Sequence, residues 1–289
     1  MRLAFNRIGV LPGLLILLLP ATGAFGEHVQ SEAAQAFRKT AEVVSFPSGD
    51  ATLKGWLYKP RGDGRWPAVI WNHGSERRPI AHPELGKFYT EHGFVLLLPI
   101  RQGHEGSPGT YIQDEIDAYS AQVHDKGLVR KRSVELQEVY NKDVEAAVAW
   151  LKEQPFVDPH NIVVSGCSYG GIQTLLAAEK GMGVKAFVPF APGAMSWANP
   201  ELRKRLVEAA KGAKAPVFLL QASNDYSTGP SEVLGKVLEQ RSDGSRAKVY
   251  PVFGKTNQEG HGGFACWEEG IAIWGDDVIR FLAAAGVGH

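Results

Sequence analysis

The segment Gly166-Cys167-Ser168-Tyr169-Gly170-Gly171 constrains this chain more than any other. It stands between an apolar run at 162–165 and a helix-forming stretch at 172–179, so the sequence reads strand, Gly-x-Ser-x-Gly, helix. A turn that sharp lifts the central serine into a strained backbone conformation. It leaves no room for a side chain two positions to either side, which accounts for Gly166 and Gly170. Gly171 lets the helix pack close against the strand. A raised serine hydroxyl becomes a good nucleophile where a histidine takes its proton and backbone N–H groups hold the developing oxyanion. In a chain with 33 glycines the same pentapeptide also occurs as a plain turn with a solvent-facing serine, so its surroundings decide its meaning.

Those surroundings alternate between strand and helix from residue 40 onward. Residues 42–46 and 53–58 form an expected hairpin turned at Ser48-Gly49-Asp50. Further strands are expected at 68–71, 94–99, 162–165, 186–190, 217–220 and 247–252. Helices are expected at 85–92, 133–154, 200–211, 231–239 and 271–284. The helix at 133–154 rests on Leu136, Val139, Tyr140, Val144, Ala147, Val148 and Leu151, spaced by three and four. Between 101 and 132 the chain is polar and aromatic with little periodicity, and reads as a short insertion after the fourth strand. This alternation implies an α/β fold, a mostly parallel sheet with helices on both faces. No Pro/Ser-rich linker divides it.

In such sheets the ligand crevice lies beyond the carboxyl ends of the strands. Asn72-His73-Gly74-Ser75-Glu76 follows the third strand and Arg101-Gln102-Gly103-His104 the fourth. Ser168 follows the fifth, Pro192, Gly193 and Trp197 the sixth, Ser223-Asn224-Asp225 the seventh, and Gly260-His261-Gly262-Gly263 the eighth. Ser168, Asp225 and His261 thus occupy one edge in the order expected of a serine hydrolase. Ser168 Oγ would attack an acyl carbonyl, His261 would act as general base and then acid, and Asp225 would orient the imidazole. The backbone N–H groups of Tyr169 and Ser75 would bind the oxyanion. Asp225 also suits a helix cap, and His261 an ordinary loop position. Arg101, His104, Tyr111, Tyr119 and Trp197 are candidates for lining the substrate pocket. No pair of His, Asp or Glu has a convincing metal spacing, so neither metal nor cofactor is expected.

Lys+Arg and Asp+Glu both number 31, which gives no reason to expect nucleic acid or an anionic membrane as partner. Residues 1–26 have the layout of a secretory signal peptide. Arg2 and Arg7 precede an apolar run at 8–19, followed by small residues with acceptable cleavage after Ala24 or Gly26. Residues 27–289 are then the catalytic domain of an exported protein, periplasmic or secreted, with no stable membrane insertion after signal removal. The two cysteines, Cys167 and Cys266, leave a disulfide open. Cys167, inside the turn, reads more simply as a small buried residue.

His73-Gly74, Arg101-x-Gly103, the segment 166–171, Asp225 and Gly260-His261-Gly262-Gly263-Phe264 together resemble the α/β-hydrolase superfamily. The closest branch is the dienelactone hydrolase-like one, over roughly residues 40–285. Dienelactone hydrolases proper resemble Gly-x-Cys-x-Gly at the turn, with cysteine as nucleophile. Here serine holds the centre and cysteine the neighbouring place, which implies a serine-type esterase acting on small-molecule esters or lactones through an acyl-enzyme. The prolyl oligopeptidase family has a similar catalytic domain, so a peptidase or amidase with the same three residues is an alternative. An acyltransferase and a non-catalytic binding protein on the same scaffold are others.

Overall fold

A computed structural model describes residues 30–288; the signal-peptide assignment lies outside the described residues. A short helix α1 (Glu32–Arg38) leads into β1 (Glu42–Ser48) and β2 (Ala51–Tyr58), a hairpin turned at Gly49, whose φ is 58°. There follow β3 (Trp66–Asn72), α2 (Pro83–Glu91), β4 (Val95–Ile100), α3 (Ile112–Val123), α4 (Lys126–Tyr140), α5 (Lys142–Lys152) and β5 (Val157–Cys167). Then come α6 (Tyr169–Lys180), β6 (Ala186–Phe190), α7 (Pro200–Gly212), β7 (Phe218–Ala222), α8 (Gly229–Leu238), β8 (Arg246–Tyr250), α9 (Phe264–Cys266) and α10 (Glu268–Ala284).

The eight strands form one sheet in the order β1-β2-β4-β3-β5-β6-β7-β8. The β1–β2 and β2–β4 pairs are antiparallel, and every pair from β4 onward is parallel. Successive side chains of a strand point to opposite faces. Here both faces are apolar: Ala68 and Ile70 pack under α5 and α6, while Val69 and Trp71 face α2 and α10. The first layer includes Val144, Val148, Leu151, Leu175, Leu176 and Leu206, and the second Leu85, Tyr89, Trp274, Val278 and Phe281. The expected mostly parallel sheet, covered on both sides, is the observed one.

The segment between β4 and β5 departs from expectation. Residues 112–123 and 126–140 are helical, and the helix expected at 133–154 is two helices meeting at Asn141. Of α3 only Ile112 is buried. The helix presents too narrow an apolar stripe to register as periodicity. Leu136 and Tyr140 of α4 pack with Ile112 and Tyr169, while Val144, Ala147 and Val148 of α5 pack on the sheet. Two different surfaces are thus served by one stretch of sequence, and the break at Asn141 allows both. The Asn141 side chain is fully buried and donates to Gln173 O and Oε1 at 2.9 and 2.8 Å. Both cysteines are buried free thiols, so the disulfide left open by the sequence does not form.

Candidate active site

Ser168 sits between the end of β5 and the start of α6 with φ 59° and ψ −115°. Such a backbone is rare and costly outside glycine, and it persists only where neighbours hold it. Its N–H donates to Phe190 O at 3.0 Å, and its carbonyl accepts from Ile172 N at 3.1 Å. The flanking glycines are required by contact. A methyl on Gly170 would stand 1.9 Å from Asn72 O, one on Gly166 2.5 Å from the same oxygen, and one on Gly171 2.6 Å from Phe190 O. The turn therefore forms only where β3 and β6 crowd it from both sides.

Asp225, three residues beyond β7, is buried and lies 2.8 Å from His261 Nδ1 through its Oδ1. That oxygen also accepts from Tyr226 N at 2.6 Å, and Oδ2 accepts from Gln221 Nε2 at 3.0 Å. A carboxylate can only accept, so His261 Nδ1 carries the shared proton and Nε2 is left as the acceptor. Nε2 is buried with no hydrogen-bond partner among the described residues. His261 lies in a π-helical turn, Glu259–Gly263, rather than the irregular loop expected. Turns of this type recur at functional sites. The Cys167 thiol faces the back of this turn, with Sγ 3.8 Å from His261 O. Burial raises the Cys167 pKa well above the ordinary thiol value, with the Asp225 and Glu76 charges adding to the effect, so this sulfur is the opposite of an activated thiolate.

Two side chains that sequence reasoning passed over hold these parts together. Asn224 Nδ2 donates to Phe253 O and Thr256 O at 2.8 and 3.0 Å, while its Oδ1 accepts from Phe253 N at 2.9 Å. It ties the Asp225 loop to the His261 loop and packs against Gly260, where a methyl would meet Oδ1 at 2.6 Å. Glu76 is the second. Its side chain is only 13% exposed, and its carboxylate lies over Gly74. Adjacency to predicted site residues was the one available signal for each.

Arg101, expected to line the pocket, is only 1% exposed. Its guanidinium donates to His73 O at 2.6 Å and to Gly74 O, and stacks on the Tyr169 ring at 4.4 Å. It clamps the loop after β3 to the residue that follows Ser168. The His73 ring is fixed from both ends: Nδ1 donates to Gly74 O at 3.0 Å and Nε2 accepts from Arg101 N at 3.2 Å. Burial, with the Arg101 charge second, pushes the His73 pKa well below the ordinary histidine value, so it braces the loop as a neutral ring. His104 is likewise a buried brace. Its Nδ1 bonds Glu76 O at 2.8 Å, and burial and Arg101 bring its pKa down to about 3.

Tyr169 follows Ser168 directly and Ser75 lies on the loop after β3; no backbone carbonyl outside the regular helices and strands is an acceptor for either N–H among the described residues. Tyr111 Oη donates to Ser75 O at 2.5 Å, and its ring carries the Arg77 guanidinium at 4.2 Å. Tyr119 lies on α3, half-buried. Trp197 is a core residue rather than a pocket wall. It packs in the layer with Leu202 and Leu234, its Nε1 against Gly229. The exposed ring beside His261 is instead Tyr226, with centroids 5.4 Å apart.

Residues 53–261 match the dienelactone hydrolase family. The chain belongs to that family. A polyketide transferase of a Penicillium species is 30% identical over 193 residues, covering 64% of this chain and 58% of that protein. An acetyl esterase of Xylanibacter ruminicola is 26% identical over 131 residues, covering 44% of this chain and 29% of the esterase. The chain thus spans less than two thirds of the curated relatives it matches. Among solved structures, Est1E from Butyrivibrio proteoclasticus, bound to ferulic acid, superposes with a TM-score of 0.58 at 17% identity. That superposition covers 83% of this chain and 98% of that one, a likeness of fold. The fold is that of the α/β-hydrolases, in keeping with the family.

Proposed function

We propose that this chain is an exported serine hydrolase that cleaves carboxylic esters or lactones through an acyl-enzyme, with Ser168 as nucleophile, His261 as general base and Asp225 as its orienting carboxylate. The observation that carries this reading is the 2.8 Å contact between His261 Nδ1 and Asp225 Oδ1, with Ser168 raised at φ 59°. In the resting geometry Ser168 Oγ makes no hydrogen bond to His261 Nε2. Such bonds commonly tighten only once substrate is bound. Ser168 Oγ then bonds to the acyl carbon as His261 Nε2 takes the hydroxyl proton. The negative charge passes to the carbonyl oxygen, facing the N–H groups of Tyr169 and Ser75. Collapse expels the alkoxide, which leaves with the proton from His261. Water then attacks the acyl-serine by the same route in reverse.

Transfer of the acyl group to an acceptor other than water is a second reading, favoured by the 30% identity to a polyketide transferase. The two differ only in what enters after the first product leaves. Export rests on the signal-like layout of residues 1–26.

A fluorophosphonate probe tests the nucleophile. Wild-type protein is expected to label at Ser168 and Ser168→Ala to remain unlabelled. Asp225→Asn should lower kcat for p-nitrophenyl esters by about three to four orders of magnitude without loss of fold. Persistent labelling of Ser168→Ala would overturn the assignment. Cleavage of peptide anilides in preference to esters would move the chain to the peptidase reading.

A further inference from the structure

The loop that follows β3 has its carbonyls drawn to one side. His73 O accepts from Arg101 Nη1 at 2.6 Å, and Gly74 O from Arg101 Nη2 and His73 Nδ1. Ser75 O accepts from Tyr111 Oη at 2.5 Å, Glu76 O from His104 Nδ1 at 2.8 Å, and Arg77 O from the Glu105 N–H at 2.9 Å. Every carbonyl from His73 to Arg77 is thus bonded to the segment 101–111. In a trans peptide the C=O and the N–H point in opposite directions, so a held carbonyl also aims the N–H of the next residue. The Ser75 N–H shares its plane with Gly74 O, and the Glu76 N–H shares its plane with Ser75 O. The Gly74 and Glu76 N–H groups act on the Glu76 carboxylate. No backbone carbonyl accepts from the Ser75 N–H among the described residues. That donor is left open on the loop that borders Ser168, where a methyl placed on Gly74 would stand 3.7 Å from Ser168 Cβ.

Two peptide planes meet at Ser75 Cα. The carbonyl of the first is held by the buried Arg101, and that of the second by Tyr111. The Tyr111 ring is itself fixed. The Arg77 guanidinium stacks on it at 4.2 Å and is gripped by both oxygens of Asp114, at 3.0 and 2.5 Å, while the His104 ring meets it edge-on at 5.2 Å. Tyr111 stands at the N-cap of α3, and the next residue, Ile112, packs in one cluster with Tyr169. The start of α3 therefore reaches both residues whose N–H groups are proposed to receive the acyl oxygen.

We propose that Tyr111 is a positioning residue for the oxyanion site, its hydroxyl holding the peptide plane after Ser75 so that the Ser75 N–H stays aimed at the acyl oxygen. This rests on the serine-hydrolase reading above and adds a residue to it. Tyr111 touches no reacting atom; it acts through Ser75.

Tyr111→Phe keeps the ring and removes the hydroxyl. The bond to Ser75 O lies where solvent reaches, so water replaces the lost partner, and the melting temperature should stay within about 3 °C of wild type. For p-nitrophenyl butyrate kcat should fall about tenfold with KM little changed, a part of the roughly hundred- to thousandfold that follows loss of a whole donor. A trifluoromethyl ketone, which adds to the serine as a tetrahedral oxyanion, should bind more weakly by the same factor, a change that a merely structural role does not produce. Unchanged kcat would overturn the proposal, and so would a rise in KM alone, which would make Tyr111 a substrate contact. Should the variant not fold, Arg77→Ala carries the test, because its exposed guanidinium steadies the Tyr111 ring. There kcat and ketone affinity should fall together by about threefold, the order of one exposed cation–π contact, and no change in either would overturn the proposal equally. Failure of wild type to label at Ser168 with a fluorophosphonate would instead remove the hydrolase reading, and the positioning role with it.

Discussion

At the scale of single residues, Ser168 and Arg101 divide the work of raising the proposed nucleophile and holding its surroundings. Ser168 keeps a left-handed backbone of the kind that costs on the order of 1–3 kcal/mol. Arg101 is buried because its planar fork matches two carbonyl oxygens on adjacent residues, a geometry an ammonium cannot reproduce. Replacing it leaves His73 O without its side-chain partner, while Gly74 O keeps His73 Nδ1, and a buried carbonyl left unpaired costs about 1–3 kcal/mol. Arg101→Met should therefore lower the stability read from the urea midpoint by about 1–3 kcal/mol. It should also lower kcat more than it raises KM, because the loop bearing Ser75 loosens. Arg101→Lys should recover only part of either loss. Arg101 was visible in the sequence as a residue just past a strand. Its direction was not, because a sequence gives distance along the chain and says nothing of whether a side chain turns toward solvent or back beneath a loop.

At the scale of elements, the turn between β5 and α6 depends on the strands beside it. Gly170 faces Asn72 of β3, paired in register with Gly166, so the glycine requirement is set by a neighbour nearly a hundred residues away. Gly170→Ala brings a methyl within 1.9 Å of Asn72 O, an overlap that only separation of α6 from β3 relieves. It should cost more than about 3 kcal/mol and leave most of the protein insoluble, as measured by soluble yield and thermal unfolding. Elements buried on a broad face were legible in advance. β6 was expected at 186–190 and is found as Ala186–Phe190, and α7, expected from 200 to 211, ends one residue later. The elements missed were those with little to bury. α1 buries only Ala34 and α3 only Ile112. The candidate site follows the same logic: Ser168, Asp225 and His261 are proposed from their places past strand ends, and the structure brings His261 Nδ1 to 2.8 Å from Asp225 Oδ1. Trp197, a pocket candidate from its place past a strand, lies in the core, because aromatic character alone does not separate a pocket wall from a core.

At the scale of the whole molecule, three histidines are folded in as neutral groups. Burial lowers the pKa of His82 to about 4 and of His104 to about 3, and that of His73 well below the ordinary value of 6.5. In the unfolded chain each takes a proton near pH 6.5. Below that pH the unfolded state binds more protons than the folded one, so stability is full above pH 6.5 and falls as pH drops toward the folded values. By pH 4, His82 and His104 each cost about 3 kcal/mol. Glu76, whose folded pKa is raised, works in the opposite sense over its own range. The melting temperature should fall steeply between pH 6.5 and 4. His82→Asn, which tolerates the left-handed backbone at φ 40°, should make that fall shallower.

The candidate nucleophile and its base belong to different moments in the making of the protein. Ser168 follows β5 in the middle of the sheet, while His261 follows β8, which among the described residues is an edge strand paired with β7 alone. Synthesis runs from the amino end, and structure gathers in that direction. The strands β3 and β5 that shape the serine turn are complete before Asp225 and His261 emerge. On the proposed mechanism the growing chain until then carries a serine with nothing to draw off its proton. The proposed reactivity would arrive last, with the strand at the rim, and should also be the first property lost when that rim frays.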